Sequence, residues 1–153
     1  MLKPILLVED DPNDLELTLV ALERSQLAND VVVVRDGAEA LDYLFRRNAH
    51  SDRADGNPAV LLLDLKLPKV DGLQVLEAIR SAEELRSIPV VMLTSSREEP
   101  DLSRAYQLGV NAYVVKPVEF KEFVGAISDL GIFWAVLNEP PPGSVRTVRR
   151  SNS

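Results

Sequence analysis

Val60-Leu61-Leu62-Leu63-Asp64-Leu65-Lys66-Leu67-Pro68 decides how this chain is read. Four apolar residues run without polar alternation, stop at an aspartate, and are closed by a proline shortly afterwards. A continuous run of this length fits a strand buried on both faces, as in a parallel sheet, better than a strand with one wet side. The same signature recurs at Ile5-Leu6-Leu7-Val8, Val31-Val32-Val33-Val34, Val90-Val91-Met92-Leu93 and Tyr113-Val114-Val115. Between these runs apolar residues return at helical spacing: Leu15, Leu19 and Leu22; Leu41, Leu44 and Phe45; Val75, Leu76 and Ile79; Leu102, Ala105 and Tyr106; and finally Phe120, Phe123, Val124 and Ile127. Each set makes one stripe able to cover a sheet. Asp11-Pro12 offers an N-cap followed by proline at the first helical position, and Pro100 is placed to open the fourth helix. Five repeats of strand then helix predict an α/β fold, a doubly wound five-stranded parallel sheet with helices on both faces.

Composition narrows the chemistry. A chain of 153 residues suits one domain with a single sizeable core. No apolar run approaches the roughly 18 residues of a membrane span, and residues 1–8 lack the pattern of a signal peptide. A cytoplasmic protein is expected. With no cysteine and one histidine, His50, thiolate and multi-histidine metal sites are excluded, so any metal relies on oxygen ligands. A net charge of -7 argues against nucleic acid and anionic lipid as partners. A protein partner, or a small anion together with a metal, fits better.

In doubly wound sheets ligands collect beyond the carboxyl ends of the strands, near the switch point. Glu9 and Asp10 follow the first strand, Asp64 ends the third, Thr94 follows the fourth and Lys116 ends the fifth. All five fall on that edge, and the first, third and fourth strands are expected to be neighbours there. Three carboxylates brought together repel one another and call for a cation. Mg²⁺ prefers oxygen ligands and is commonly held by one or two carboxylates plus a phosphate oxygen, which suits Glu9, Asp10 and Asp64. Phosphoryl transfer further needs charge neutralisation and a donor at the phosphoryl oxygens, for which Lys116 and Thr94 are suitable. Taken singly, these residues have ordinary explanations as loop acids, caps or an exposed lysine. Their joint placement at four strand ends favours chemistry.

At Val8-Glu9-Asp10-Asp11, Leu63-Asp64-Leu65-Lys66-Leu67-Pro68, Asp71-Gly72, Leu93-Thr94-Ser95 and Val115-Lys116-Pro117 the sequence resembles the receiver domains of two-component signalling, over about residues 3–130. The resemblance implies a flavodoxin-like fold with Asp64 as phosphoacceptor, Glu9 and Asp10 as Mg²⁺-binding acids, and the backbone carbonyl of Lys66 as a further ligand. It also implies Thr94 and Lys116 as phosphoryl contacts, Tyr113 as an aromatic switch coupled to Thr94, and a cis Lys116-Pro117 bond. Glutamate at position 9 departs from the commoner aspartate and sets the carboxylate one methylene further out.

The stretch Asn48 to Pro58 reads as a long loop, with His50 an ordinary loop residue. Residues 131–142, containing Phe133-Trp134 and Pro140-Pro141-Pro142, read as an aromatic and proline-rich extension of a receiver domain spanning 1–130. Residues 143–153, with Arg146, Arg149 and Arg150, read as a disordered tail. Too few residues follow the fifth helix for an output domain. The loop and extension together resemble stand-alone receivers paired with phytochrome-type histidine kinases. That implies a sensor kinase as phosphodonor, a homodimer and an unknown downstream protein. Phe133 and Trp134 are candidate dimer contacts, because exposed aromatics are costly and enriched at interfaces. Two other functions compete: a degenerate receiver acting as a dimerisation scaffold, and a Mg²⁺-dependent phosphatase with an aspartyl-phosphate intermediate. Proline at position 12 removes the second aspartate that the phosphatase pattern needs. A Gly-rich phosphate cradle is absent after the first strand, which excludes dinucleotide binding.

Overall fold

The structure is a computed structural model and describes residues 3–24, 29–54, 56–95, 100–129 and 148–150. The elements run β1 (Ile5–Val8), α1 (Pro12–Arg24), β2 (Val31–Val34), α2 (Gly37–Phe45), a 3₁₀ turn at Asn48–His50, β3 (Val60–Asp64), α3 (Gly72–Ser81), β4 (Val90–Thr94), α4 (Pro100–Gln107), β5 (Ala112–Val115), α5 (Phe120–Asp129) and β6 (Val148–Arg150). The sheet is parallel throughout, in the order β5-β4-β3-β1-β2-β6.

Every residue of β1 to β4 is buried because the sheet separates two cores. Leu6, Val8, Leu61, Leu63, Val90 and Met92 face one side, where they meet Tyr43 and Leu44 of α2, Leu76 and Ile79 of α3 and Ala105 of α4. Their neighbours Ile5, Leu7, Val60, Leu62, Val91 and Leu93 face the other, against Leu15 and Leu22 of α1 and Phe123 of α5. Strand side chains alternate between faces, so a strand clothed on both sides is apolar at every position. Burying a leucine or valine in this way contributes about 1.5–3 kcal/mol each before chain entropy is counted. Helix starts follow from local chemistry: Asp11 Oδ1 accepts from the backbone N–H of Asn13 and Asp14, and Asp71 forms a reciprocal capping box with Gln74.

The structure corrects three expectations. Val148–Arg150 is a sixth strand paired with the outer edge of β2, with Arg150 in an ion pair to Glu16, so the tail is not disordered there. The Asn48 to Pro58 stretch is not a plain loop. Its 3₁₀ turn sets the His50 ring edge-on to Tyr43, and the Arg53 guanidinium lies 4.0 Å from the Tyr43 ring centroid while its Nε donates to the Tyr43 carbonyl. On α2, Ala40, Tyr43 and Leu44 are buried, and the expected Leu41 and Phe45 pack against the same core while partly buried. On α4, Leu102 and Ala105 are buried but Tyr106 points outward. Phe133, Trp134, Pro140 to Pro142 and Arg146 lie outside the described residues.

Candidate functional site

The strand register assembles the site. Val8 pairs with Leu63 and Asp64 with Leu93, so the residue after β1 and the last residues of β3 and β4 emerge together at one edge. The N–H of Glu9 donates to the Val34 carbonyl, and Arg35 Nη2 donates to the Asp10 carbonyl, tying the end of β1 to the end of β2. Beyond β3, Gly72 N–H donates to the Leu65 carbonyl. Only glycine fits there, since a Cβ would lie 2.4 Å from the carbonyl oxygen of Asp64.

Glu9, Asp10 and Asp64 each place a carboxylate oxygen within 4.8 Å of the others. Glu9 is fully buried, Asp64 nearly so, and Asp10 is the more open of the three. Lys116, the residue after β5, reaches across β4, and its Nζ lies 3.2 Å from Glu9 Oε1 and 3.3 Å from Asp64 Oδ2. The other Asp64 oxygen, Oδ1, accepts from Lys66 N–H at 3.3 Å. Thr94 is buried beside them. The Lys116 N–H donates to the Thr94 carbonyl at 2.7 Å, and the Lys116-Pro117 bond is cis. Asp10, Asp14, Asp64, Lys66, Thr94 and Lys116 line a cavity of about 260 Å³, below which Glu9 is sealed.

All the acids and the lysine expected from the sequence therefore converge. Tyr113 does not line this cavity: it sits on β5, half-buried, with its ring edge-on to Tyr106 at 6.1 Å between centroids. One site residue escaped the sequence reading. Asp14 Oδ2 is 3.0 Å from Lys116 Nζ, nearer than either expected acid. Its signal is its place three residues after the N-cap Asp11, which puts it in the first turn of α1 at the same sheet edge.

Electrostatics show what the cluster lacks. Burial raises the Glu9 carboxyl to about 8, helped by its hydrogen bond to Asp64 and the charge there. Asp10 is also raised, by burial first and the Asp64 charge second. Burial works against the charged form of Lys116, but contacts with Asp14, Asp64 and Glu9 outweigh it and hold its pKa above the ordinary lysine value. Asp10, Asp14 and Asp64, with Glu9 adding a fourth charge once it ionises, thus face one ammonium, an excess of negative charge that a divalent cation would relieve. Three closely spaced carboxylates, with no nitrogen or sulfur donor in the cluster, fit a hard cation such as Mg²⁺.

Residues 5–128 match the response regulator receiver domain family. This chain belongs to that family. The receiver is similar to the bacteriophytochrome response regulator RtBRR, at 76% identity over 94% of this chain and 87% of that one, with a TM-score of 0.86. It is 39% identical to the cyanobacterial phytochrome response regulator RcpA, solved in a phosphorylated state, covering 88% of this chain and 94% of RcpA with a TM-score of 0.72. Response regulator Rcp1 of Synechocystis is 36% identical over 86% of this chain and 88% of its own length. An Mn²⁺-bound structure of Rcp1 superposes with a TM-score of 0.70 over 86% of this chain and 92% of that one. The receiver thus resembles the response regulators that serve phytochromes. Among the described residues, no helix is long and apolar enough to cross a membrane.

Proposed function

We propose that this receiver accepts a phosphoryl group on Asp64 from the phosphohistidine of a sensor kinase. The observation that carries the reading is the convergence of a buried Asp64 carboxylate, two further acids and the Lys116 ammonium at one sheet edge. An Asp64 oxygen attacks phosphorus, the N–P bond to imidazole breaks, and the freed imidazole nitrogen regains a proton while an acyl phosphate forms. Glu9, Asp10 and Asp64, with the Lys66 carbonyl, would hold Mg²⁺, whose chemistry when bound is to offset charge on the phosphoryl oxygens. Lys116 donates to one of those oxygens and the Thr94 hydroxyl to another. Drawing Thr94 toward the phosphoryl group opens space for Tyr113 to turn inward, which alters the α4-β5 surface offered to a downstream protein. The receiver is a phosphoacceptor in signalling, with at most slow self-dephosphorylation.

The likeness to RtBRR and RcpA supports a phytochrome-type kinase as donor, and a cytoplasmic location belongs to the same proposal. A homodimer anchored by Phe133 and Trp134 belongs to the same proposal. Changing both residues to alanine should convert dimer to monomer by light scattering, and an unchanged mass removes them as anchors.

Intact-mass analysis after incubation with acetyl phosphate and Mg²⁺ tests the chemistry. One phosphoryl adduct is expected, absent from Asp64→Asn and from samples containing EDTA. An adduct that persists in Asp64→Asn would move the phosphoacceptor elsewhere, and no adduct at all, by a readout fast enough to catch a short-lived acyl phosphate, would favour a scaffold.

A further inference from the structure

Lys116 contacts three carboxylates, and its nearest partner is the one outside the metal-type cluster: Asp14 at 3.0 Å, against 3.2 Å for Glu9 and 3.3 Å for Asp64. An ammonium has three N–H donors and no acceptor, so these partners match its whole directional capacity. A phosphoryl oxygen arriving on Asp64 needs one of those donors. Glu9 is sealed beneath the cavity and Asp64 is the group being modified, whereas Asp14 lines the opening with its side chain 28% exposed. Its backbone is fixed: the N–H is held by the Asp11 cap, and the Thr18 hydroxyl donates to its carbonyl at 2.8 Å. The carboxylate is therefore presented to Lys116 from a rigid first turn.

We infer that Asp14 is a positioning residue that holds Lys116 in the unphosphorylated protein and competes with the phosphoryl group for it, thereby setting how readily Asp64 accepts a small anionic phosphodonor. The inference rests on the reading of Asp64 as phosphoacceptor. Two effects act in the same direction when Asp14 loses its charge. One ammonium donor is released toward the cavity, and one negative charge facing the incoming anion disappears. Asp14 is partly solvated, so the effect is modest rather than all-or-none.

The test follows acetyl phosphate labelling of the full chain by intact mass, at subsaturating donor and with Mg²⁺, in wild type, Asp14→Asn, Asp14→Glu and Glu16→Gln. Glu16→Gln makes the same charge change on the same helix at a residue that pairs with Arg150 instead of Lys116. Asp14→Asn should label about fivefold faster, while Asp14→Glu and Glu16→Gln stay near wild type. In a Lys116→Met background, followed over hours, Asp14→Asn should give only the smaller acceleration that comes from removing one negative charge, because the donor that Asp14 holds is gone. Equal rates in wild type and Asp14→Asn would overturn the inference, as would the same acceleration in Glu16→Gln or without Lys116. A wild type that does not label fails at the Asp64 reading itself, a result distinct from wild type labelling normally with Asp14→Asn unchanged.

Discussion

Lys116 Nζ stands 3.3 Å from Asp64 Oδ2 although their strands, β5 and β3, are separated by β4. The lysine spans the end of an intervening strand to meet the acid, so this contact depends on both strands stopping at the same level. Replacing Lys116 by methionine keeps the aliphatic bulk and removes the donor. Labelling of Asp64 by acetyl phosphate should slow about a hundredfold, the scale seen when one preorganised donor to a developing anion is lost. Time-resolved intact mass measures it, and a rate within threefold of wild type would remove Lys116 from the chemistry.

Glu9 makes the site sensitive to pH. Its folded value of about 8 exceeds the ordinary 4.5, so between these values the folded protein holds a proton that the unfolded chain releases. Stability from this group is complete below pH 4.5 and is lost as pH rises toward 8. In EDTA, thermal melts at pH 5.5, 7 and 8.5 should show the midpoint falling, and Glu9→Gln, which cannot ionise, should raise the midpoint at pH 8.5 by roughly 3–6 °C. Cation and proton compete for the same carboxylate, so Mg²⁺ affinity should grow with pH up to about 8 and level off above it. Calorimetric titration that shows affinity independent of pH would contradict this.

Gly72 opens α3 hard against the end of β3. A methyl group there meets the Asp64 carbonyl at 2.4 Å and must displace backbone. Gly72→Ala should cost about 1–3 kcal/mol in urea unfolding and slow Asp64 labelling with it. Unchanged stability would mean that the β3-α3 connection yields freely.

Far from the site, Arg80 joins three segments. Its guanidinium donates to the carbonyls of Gly109, Arg86 and Ile88 and to Asn111 Oδ1, which itself accepts from Val90 N–H. Arg80→Ala leaves these acceptors short of donors and should lower stability by about 2 kcal/mol at an unchanged denaturant slope. Because the cluster lies at the amino ends of β4 and β5, phosphoryl acceptance should be preserved in the surviving folded fraction.

The strands and most of the site were legible because both depend on patterns local in sequence. Five β-branched apolar runs announce a two-faced sheet, and the acids, threonine and lysine directly abut those runs. Asp14 was not legible, since an acid in a first helical turn is commonplace and only tertiary placement brings it to Lys116. The stripe of α2 was legible at Leu41, Leu44 and Phe45, all of which pack on the core, but Tyr43 joins them under Arg53, a residue ten positions on. Val148–Arg150 gave no strand signal, with one apolar residue followed by two arginines; its pairing exists only because β2 leaves an edge to receive it.

That pairing separates the unit of family likeness from the unit of folding. The receiver match ends at residue 128, yet the last backbone to join the sheet comes twenty residues later. A chain trimmed to the matched region would keep the carboxylate–lysine cluster and leave Val31, Val32 and Val33 of β2 as an open hydrogen-bonding border, the kind of surface from which sheets recruit foreign strands. The border of the sheet is therefore closed by residues beyond the family match rather than by the matched domain itself.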